Sequence, residues 1–128
     1  MNEILYKTSI LFLTCYLLIL GYYWNPDYAY LYIATLVGFA TSICNHGDII
    51  PHACPIDRFY MILLAMIYIY TFYDRSCINS LIVISLSILN LLLLYAYSKT
   101  THSVNLHILL HVYAFVFVSA IAIILYHE

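Results

Sequence analysis

Three histidines, one aspartate and one serine have residue types and spacings that suit metal chemistry. His107 and His111 are four residues apart, a spacing that places both side chains on one face of a helix. His46 lies in a separate polar stretch, with Ser42 four residues before it and Asp57 eleven residues after it. Neutral imidazole nitrogens are good zinc ligands, and three of them leave a fourth coordination position for water. The pattern therefore predicts a zinc (Zn2+) site formed by His46, His107 and His111.

A carboxylate and a hydroxyl near such a site suggest hydrolysis. Zinc makes its water a usable nucleophile near neutral pH. Asp57 is the expected general base and then acid, and Ser42 is the expected donor to an oxyanion on a substrate carbonyl. Each group also has a structural interpretation: membrane histidines often only form hydrogen bonds, Asp57 beside Arg58 can stabilise a helix start, and Ser42 can bond to its own helix.

The elements that must position these residues are predicted to be membrane-spanning helices. Of the 128 residues, 66% are hydrophobic and 8% are charged, which is too little charge to cover a soluble domain. The first apolar run lacks a basic start and a small-residue cleavage site, which favours a mature helix over a signal peptide. We predict an all-α polytopic transmembrane bundle that forms one domain over residues 1–128. Its spans, about five in number, are expected at about 4–23, 28–44, 56–73, 78–97 and 104–126.

The order of the spans predicts that the candidate residues lie on one side of the membrane, here called side A. With five spans, the second ends on side A, and the third and fifth begin there. Three cationic residues are also expected towards side A, whereas Arg75 is expected on the other side; the three are Lys7, Arg58 and Lys99. By the positive-inside tendency, the N-terminus and the metal site are expected on the cytosolic side, with no indication of the organelle.

The combined pattern resembles a known superfamily. Ser-x-x-x-His, an Asp eleven residues later and His-x-x-x-His at the start of the last span are similar to alkaline ceramidases, adiponectin-type receptors, lipid-remodelling factors of GPI-anchor maturation and myomaker-like proteins. The resemblance implies an intramembrane zinc held by His46, His107 and His111, with Ser42 and Asp57 beside the water on the metal. The segment 57–61 is similar to the start of the family's third helix.

This resemblance covers five residues and their order, not the whole chain. Members usually have seven helices, whereas about five are expected here. Losing two middle helices preserves the sidedness of the last helix, but it thins the wall of any lipid-binding cavity. A homo-oligomer is one way in which such a cavity could be completed.

Two other cofactor arrangements are open at this point. A structural zinc could be held by the loop after the second span, through Cys44, His46, His52 and Cys54, although the first two point about 200° apart on a continuous helix. A haem between the second and fifth spans is a further arrangement. The four cysteines contain no C-x-x-C pair, and we expect them to pack as small apolar residues.

Three functions follow from these observations. The pattern favours an enzyme, a zinc-dependent intramembrane lipid hydrolase of ceramidase-like type that cleaves an amide or ester bond. The alternative is a non-enzymatic membrane protein with a structural zinc site, such as a receptor-like or fusion-related module. The third is a helix-bundle subunit whose histidines only pack and form hydrogen bonds. The expected partner is a membrane lipid, as substrate or ligand, and a net charge of −2 gives no basis for nucleic-acid binding.

Overall fold

The computed structural model describes residues 2–74 and 78–128, and these residues form an all-α fold without strands. The long helices are α1 (Glu3–Tyr22), α2 (Ala29–His46), α3 (Ala53–Asp74), α4 (Ile78–Thr101) and α5 (Val104–Tyr126). A short 3₁₀ turn, Pro26–Tyr28, joins α1 to α2. The all-α fold expected from the sequence is confirmed. The expectations for Arg75 and Cys77 lie outside the described residues.

Four of these helices, α1, α3, α4 and α5, are long and apolar enough to cross a membrane. Large apolar side chains are exposed on their outer faces, among them Leu18, Phe59, Met66, Leu93 and Val116. An apolar surface of this extent suits hydrocarbon rather than water. Helices can lie in hydrocarbon because their backbone groups form hydrogen bonds within the helix. These features indicate a multi-pass membrane protein. The remaining helix, α2, has 18 residues and ends at the polar pair Asn45-His46, so that its crossing of the membrane stays a prediction.

The helices extend beyond several of the predicted spans. α3 begins at Ala53 rather than near residue 56, because Pro55 is tolerated in a first turn, where its missing N–H has no helical partner. α4 continues past residue 97 to Thr101. Its terminal hydroxyls donate to carbonyls of the preceding turn, Ser98 to Tyr95 at 2.8 Å and Thr101 to Tyr97 at 2.7 Å. Polar residues that end a hydrophobic run therefore do not end the helix here.

The five helices pack as a closed ring. α1 packs against α2, α2 against α3, α3 against α4 and α4 against α5, and α5 returns to α1. Two hydrogen bonds from residues that flank α1 join its ends to α2 and to α5. The Asn2 N–H donates to the His46 carbonyl at 3.1 Å, and the Asn25 amide donates to the Leu125 carbonyl at 2.7 Å. α1 therefore lies between the two helices that carry the candidate metal ligands.

The two ends of the ring differ in character. End A, where α1, α3 and α5 begin, corresponds to the predicted side A, and end B is the opposite end. The main apolar core lies towards end B and comprises Tyr16, Leu20, Leu31, Tyr32, Tyr68, Phe72, Ile84, Ile88, Val118, Ile121, Ala122 and Leu125. Towards end A the buried set includes polar side chains, namely Ser9, His46, Asp57 and Ser98. The candidate site residues thus lie in the polar half of the bundle.

α2 and α3 are held together by close packing and by hydrogen bonds. A Cβ at Gly38 would lie 3.0 Å from Leu64 Cδ2, so that the small residue permits the close approach of the helices. Three interhelical hydrogen bonds of 2.7–2.9 Å join Tyr30 to Thr71, Thr35 to Tyr68 and Tyr60 to the Ala34 carbonyl. Interhelical polar contacts of this kind stabilise association where lipid offers no hydrophobic driving force.

Candidate metal centre

His46, His107 and His111 lie together at end A. One ligand nitrogen from each of the three side chains is within 4.8 Å of the other two. The ring centroids of His107 and His111 are 5.0 Å apart, and that of His46 is 5.1 Å from each. His46 is buried, with 9% of its surface exposed, and the other two are half-buried. Among the described residues, no other group of three His, Cys, Asp or Glu side chains converges in this way.

Local hydrogen bonds fix the two helix ends that carry this cluster. Ser103 caps α5: its Oγ accepts from the Leu106 N–H at 3.2 Å, and its carbonyl accepts from the His107 N–H at 3.2 Å. The carbonyl of His46, at the end of α2, accepts from the backbone of Asn2. The helical spacing of His107 and His111 then places both rings towards His46.

Thr8 on α1 orients one of the three rings. Its hydroxyl donates to the Leu5 carbonyl at 3.0 Å, and its oxygen lies 3.4 Å from Nδ1 of His111. In the tautomer in which Nδ1 of His111 carries the proton, the ring donates to the Thr8 oxygen, whose own proton goes to Leu5. The lone pair of neutral His111 is then on Nε2, which is free to bind a metal. A hydrogen bond to the other ring nitrogen is the usual support of a ligating histidine.

Ser42 forms a similar contact with the same helix. Its Oγ lies 3.4 Å from the Oγ of Ser9, and Ser9 donates its proton to the Leu5 carbonyl at 2.8 Å. By the same count of protons, Ser42 is the donor to Ser9. The structure therefore uses the Ser42 hydroxyl in an α1–α2 contact, and its predicted role towards an oxyanion stays a prediction.

Asp57 is buried against α2, with 8% of its surface exposed. Its Oδ1 accepts from the Thr41 hydroxyl at 2.9 Å, and its Oδ2 accepts from the Asn45 amide at 2.9 Å. Asn45 directly precedes His46, so that one turn of α2 holds both the carboxylate and a candidate ligand. Within the described chain, neither Asp57 nor Ser42 is hydrogen-bonded to the three histidines. The predicted role of Asp57 as a base also stays a prediction.

The three histidines fit zinc by donor chemistry and by spacing. All three ligand atoms are imidazole nitrogens, and one of the three side chains, His46, is buried. Nitrogens bound to one tetrahedral zinc at about 2.0–2.1 Å are about 3.4 Å apart. The separations here, up to 4.8 Å, are wider by at most about 1.4 Å, so the rings must move inward to bind one ion.

The competing loop arrangement does not form a comparable cluster. Its residues Cys44, His46, His52 and Cys54 all belong to the described chain, yet no three of their ligand atoms converge. His52 is exposed and has a φ of 58°, and the cysteines at 44 and 54 are free thiols. Together with Cys15, these thiols are partly exposed at the surface of the bundle rather than deeply buried.

Four polar residues around the candidate site were not singled out by the sequence, namely Thr8, Ser9, Thr41 and Asn45. The sequence does show one property that they share: each is a polar side chain within a predicted span or at its end. Polar groups at membrane depth are generally paired. Their partners, however, come from other helices, and their identity follows only from the packing.

Comparison of the chain with protein-family models, with curated proteins and with solved structures gives no match.

Proposed function

We propose that this chain is a zinc-dependent hydrolase within the membrane, which cleaves an amide or ester bond of a lipid near the headgroup level. The observation that carries this proposal is the convergence of His46, His107 and His111 from two different helices. Three imidazoles suit a catalytic zinc site, which keeps one coordination position for a reacting group. The burial pattern supports this, because the one buried histidine and the one buried carboxyl group among the described residues, His46 and Asp57, both lie at this end.

Each residue has a defined task in this proposal. Bound zinc would supply a Lewis acid and a water that is acidic enough to act near neutral pH. The carboxylate of Asp57 accepts the proton of the attacking water and returns it to the leaving group, while Asn45 and Thr41 hold it in place. The Ser42 hydroxyl exchanges its bond with Ser9 for one with the developing oxyanion.

We also propose that end A faces the cytosol. Lys7 and Arg58 lie in the second turns of α1 and α3, and Lys99 lies in the last turn of α4. All three of these cations belong to end A, and an excess of cations is typical of the cytosolic side. The substrate bond would accordingly be cleaved near the cytosolic headgroups.

One observation favours a second function, a structural zinc site in a non-enzymatic membrane protein. The Asp57 carboxylate and the Ser42 hydroxyl are both engaged in contacts between helices. A site whose only task is to join α2 to α5 would need the histidines and these helix contacts, but no catalytic group.

The metal content of the detergent-purified chain tests both functions. We expect about one zinc per chain in the wild type and almost none in the His107→Ala/His111→Ala variant. His127→Ala is the matched control, because His127 lies beyond the end of α5 among Tyr23 and Tyr126, at end B. Absence of zinc from the wild type, or an unchanged content in the double variant, would contradict both functions.

Turnover then separates an enzyme from a structural site. Wild type, Asp57→Asn and Ser42→Ala are compared on ceramide-like and glycerophospholipid substrates, with the zinc content measured in the same samples. General base removal typically lowers rates by about 10²–10⁴-fold, and loss of an oxyanion donor by about 10²–10³-fold. An enzyme should show these losses while it retains zinc. Equal turnover in wild type and both variants would contradict the assigned catalytic roles.

A further inference from the structure

A pocket next to the histidine cluster is lined mainly by polar and cationic side chains. It lies between the start of α1 and the turn that joins α4 to α5, and its volume is about 160 Å³. The residues around it are Leu5, Ser98, Lys99, His102, Ser103, Val104 and His107. His107 also belongs to the candidate metal centre, so the pocket and the metal centre share a wall.

The lining offers hydrogen-bond donors and a positive charge, without any carboxylate. The ammonium group of Lys99 forms no ion pair within the described residues, and it lies 5.8 Å from the centroid of the Tyr95 ring. His102 is exposed in the turn and has a ring N–H to donate even when neutral. Ser103 uses its oxygen as an acceptor from Leu106, which leaves its own proton for a ligand.

The position of the pocket defines where its ligand comes from. Lys99 is in the last turn of a membrane-length helix, at the level where lipid headgroups meet the protein. A single water needs roughly 10–15 Å³ of such volume, so about 160 Å³ admits a group of several heavy atoms.

We propose that this pocket binds a phosphate group, and that through it the site selects lipids with a phosphate-bearing headgroup. Phosphate oxygens accept charge-assisted hydrogen bonds from ammonium, imidazole and hydroxyl donors, the groups that Lys99, His102 and Ser103 present. An uncharged headgroup, such as that of ceramide, would offer Lys99 no anionic partner. The consequence for the substrate rests on the proposed hydrolase function, whereas the binding of phosphate does not.

Binding of a soluble lipid tests the proposal directly. The full chain in neutral detergent is titrated with lysophosphatidic acid, with the matching monoacylglycerol and with inorganic phosphate, and the Kd values are compared. We expect lysophosphatidic acid to bind at least tenfold more tightly than monoacylglycerol. Inorganic phosphate should compete with lysophosphatidic acid, because both present phosphate oxygens to Lys99, His102 and Ser103.

Matched variants assign the binding to this pocket. Lys99→Gln should weaken the binding of lysophosphatidic acid by about three- to tenfold, because the lost contact is charge-assisted but partly exposed to solvent. Lys7→Gln should have no effect, since Lys7 is also a cation at end A but is paired with Glu3 at 2.6 Å and is not part of the pocket. Lys99→Arg retains the charge and should bind nearly as wild type, which excludes a general folding defect.

Two results would overturn the proposal. One is equal affinity for lysophosphatidic acid and monoacylglycerol, and the other is unchanged affinity in Lys99→Gln. Zinc is measured in the same preparations, so that failure of the hydrolase proposal is recognised separately. Binding that depends on Lys99 in a chain without zinc would support the phosphate pocket and contradict the metalloenzyme.

Discussion

The hydroxyl oxygen of Thr8 lies 3.4 Å from Nδ1 of His111, although 103 residues of chain separate them. The contact joins the first helix to the fifth at the closure of the ring. When Nδ1 of His111 donates in this contact, Nε2 is the nitrogen left to bind a metal. α1 carries none of the candidate ligands, yet it orients one of them through this contact.

Thr8→Val should lower the affinity for zinc while the fold is maintained. Loss of a partner that orients a ligand typically costs 10–100-fold in metal affinity, and the long contact of 3.4 Å argues for the lower end, about tenfold. Competition with a chelator of known affinity measures the change.

Thr14→Val is the control for Thr8→Val. Thr14 is also in α1 and also donates to its own helix, at 2.9 Å to Ile10, but it is exposed and its side chain makes no hydrogen bond to another helix among the described residues. Thr8→Ser keeps the hydroxyl and should restore binding. Equal losses in the variants at positions 8 and 14 would show that His111 does not depend on Thr8.

Asp57→Asn should separate catalysis from stability. Asparagine retains the shape and one acceptor oxygen, and Asn45 can rotate its amide to donate or accept. We therefore expect a small change in thermal stability in detergent and a fall in lipid turnover of at least about 100-fold.

Tyr60→Phe is the control for Asp57→Asn, because it should lower stability while turnover is retained. It removes another hydrogen bond between α2 and α3, from the Tyr60 hydroxyl to the Ala34 carbonyl at 2.7 Å, at an expected cost of about 0.6 kcal/mol. Turnover should stay near that of wild type. If both variants lose stability in parallel and neither loses turnover, Asp57 only joins the helices.

Gly38→Leu should destabilise the bundle by forcing α2 and α3 apart. The added side chain would begin 3.0 Å from Leu64 Cδ2 and 3.5 Å from Tyr60 Cε1, and such overpacking costs about 1–3 kcal/mol. Thermal unfolding in detergent measures the loss. Gly21→Leu is the control, because a Cβ at Gly21 meets no atom within 4 Å, and it should leave Tm unchanged or slightly raised. A similar Tm for both variants would contradict the close packing at Gly38.

The crossing of the membrane by α2 can be tested by the location of the two ends of the chain. Five crossings place the ends on opposite sides, whereas the four crossings of α1, α3, α4 and α5 alone would place them on the same side. Epitope tags at each end are tested for access from the cytosolic side of sealed membrane vesicles of known orientation. We expect only the N-terminal tag to be accessible from the cytosol. Access to both tags, or to neither, would contradict five crossings.

The sequence predicts the helices well but predicts their partners poorly. The observed α5 matches the predicted span at both ends, because its hydrophobic run begins directly after the capping residue Ser103 and continues to Tyr126. α4 is longer than predicted, since a hydropathy pattern marks where apolar residues stop and not where backbone hydrogen bonds stop.

The candidate site shows the same division. The spacing of His107 and His111 and the order of the helices are properties of the chain, so their position at one end could be inferred. The pairing of Asp57 with Thr41 and Asn45, and of Thr8 with His111, depends on the rotation of each helix about its axis. That rotation is determined by packing between helices distant in sequence, and no local pattern encodes it.

Closure of α5 on α1 also imposes an order on biosynthesis. His46 is made with α2, whereas His107 and His111 emerge from the ribosome only after another sixty residues. Until α5 is made, the α1 surface that packs against it has no partner in the chain. A chain arrested before that point has only one of the three imidazoles of the cluster, so that binding of a metal by all three would report complete insertion of the protein.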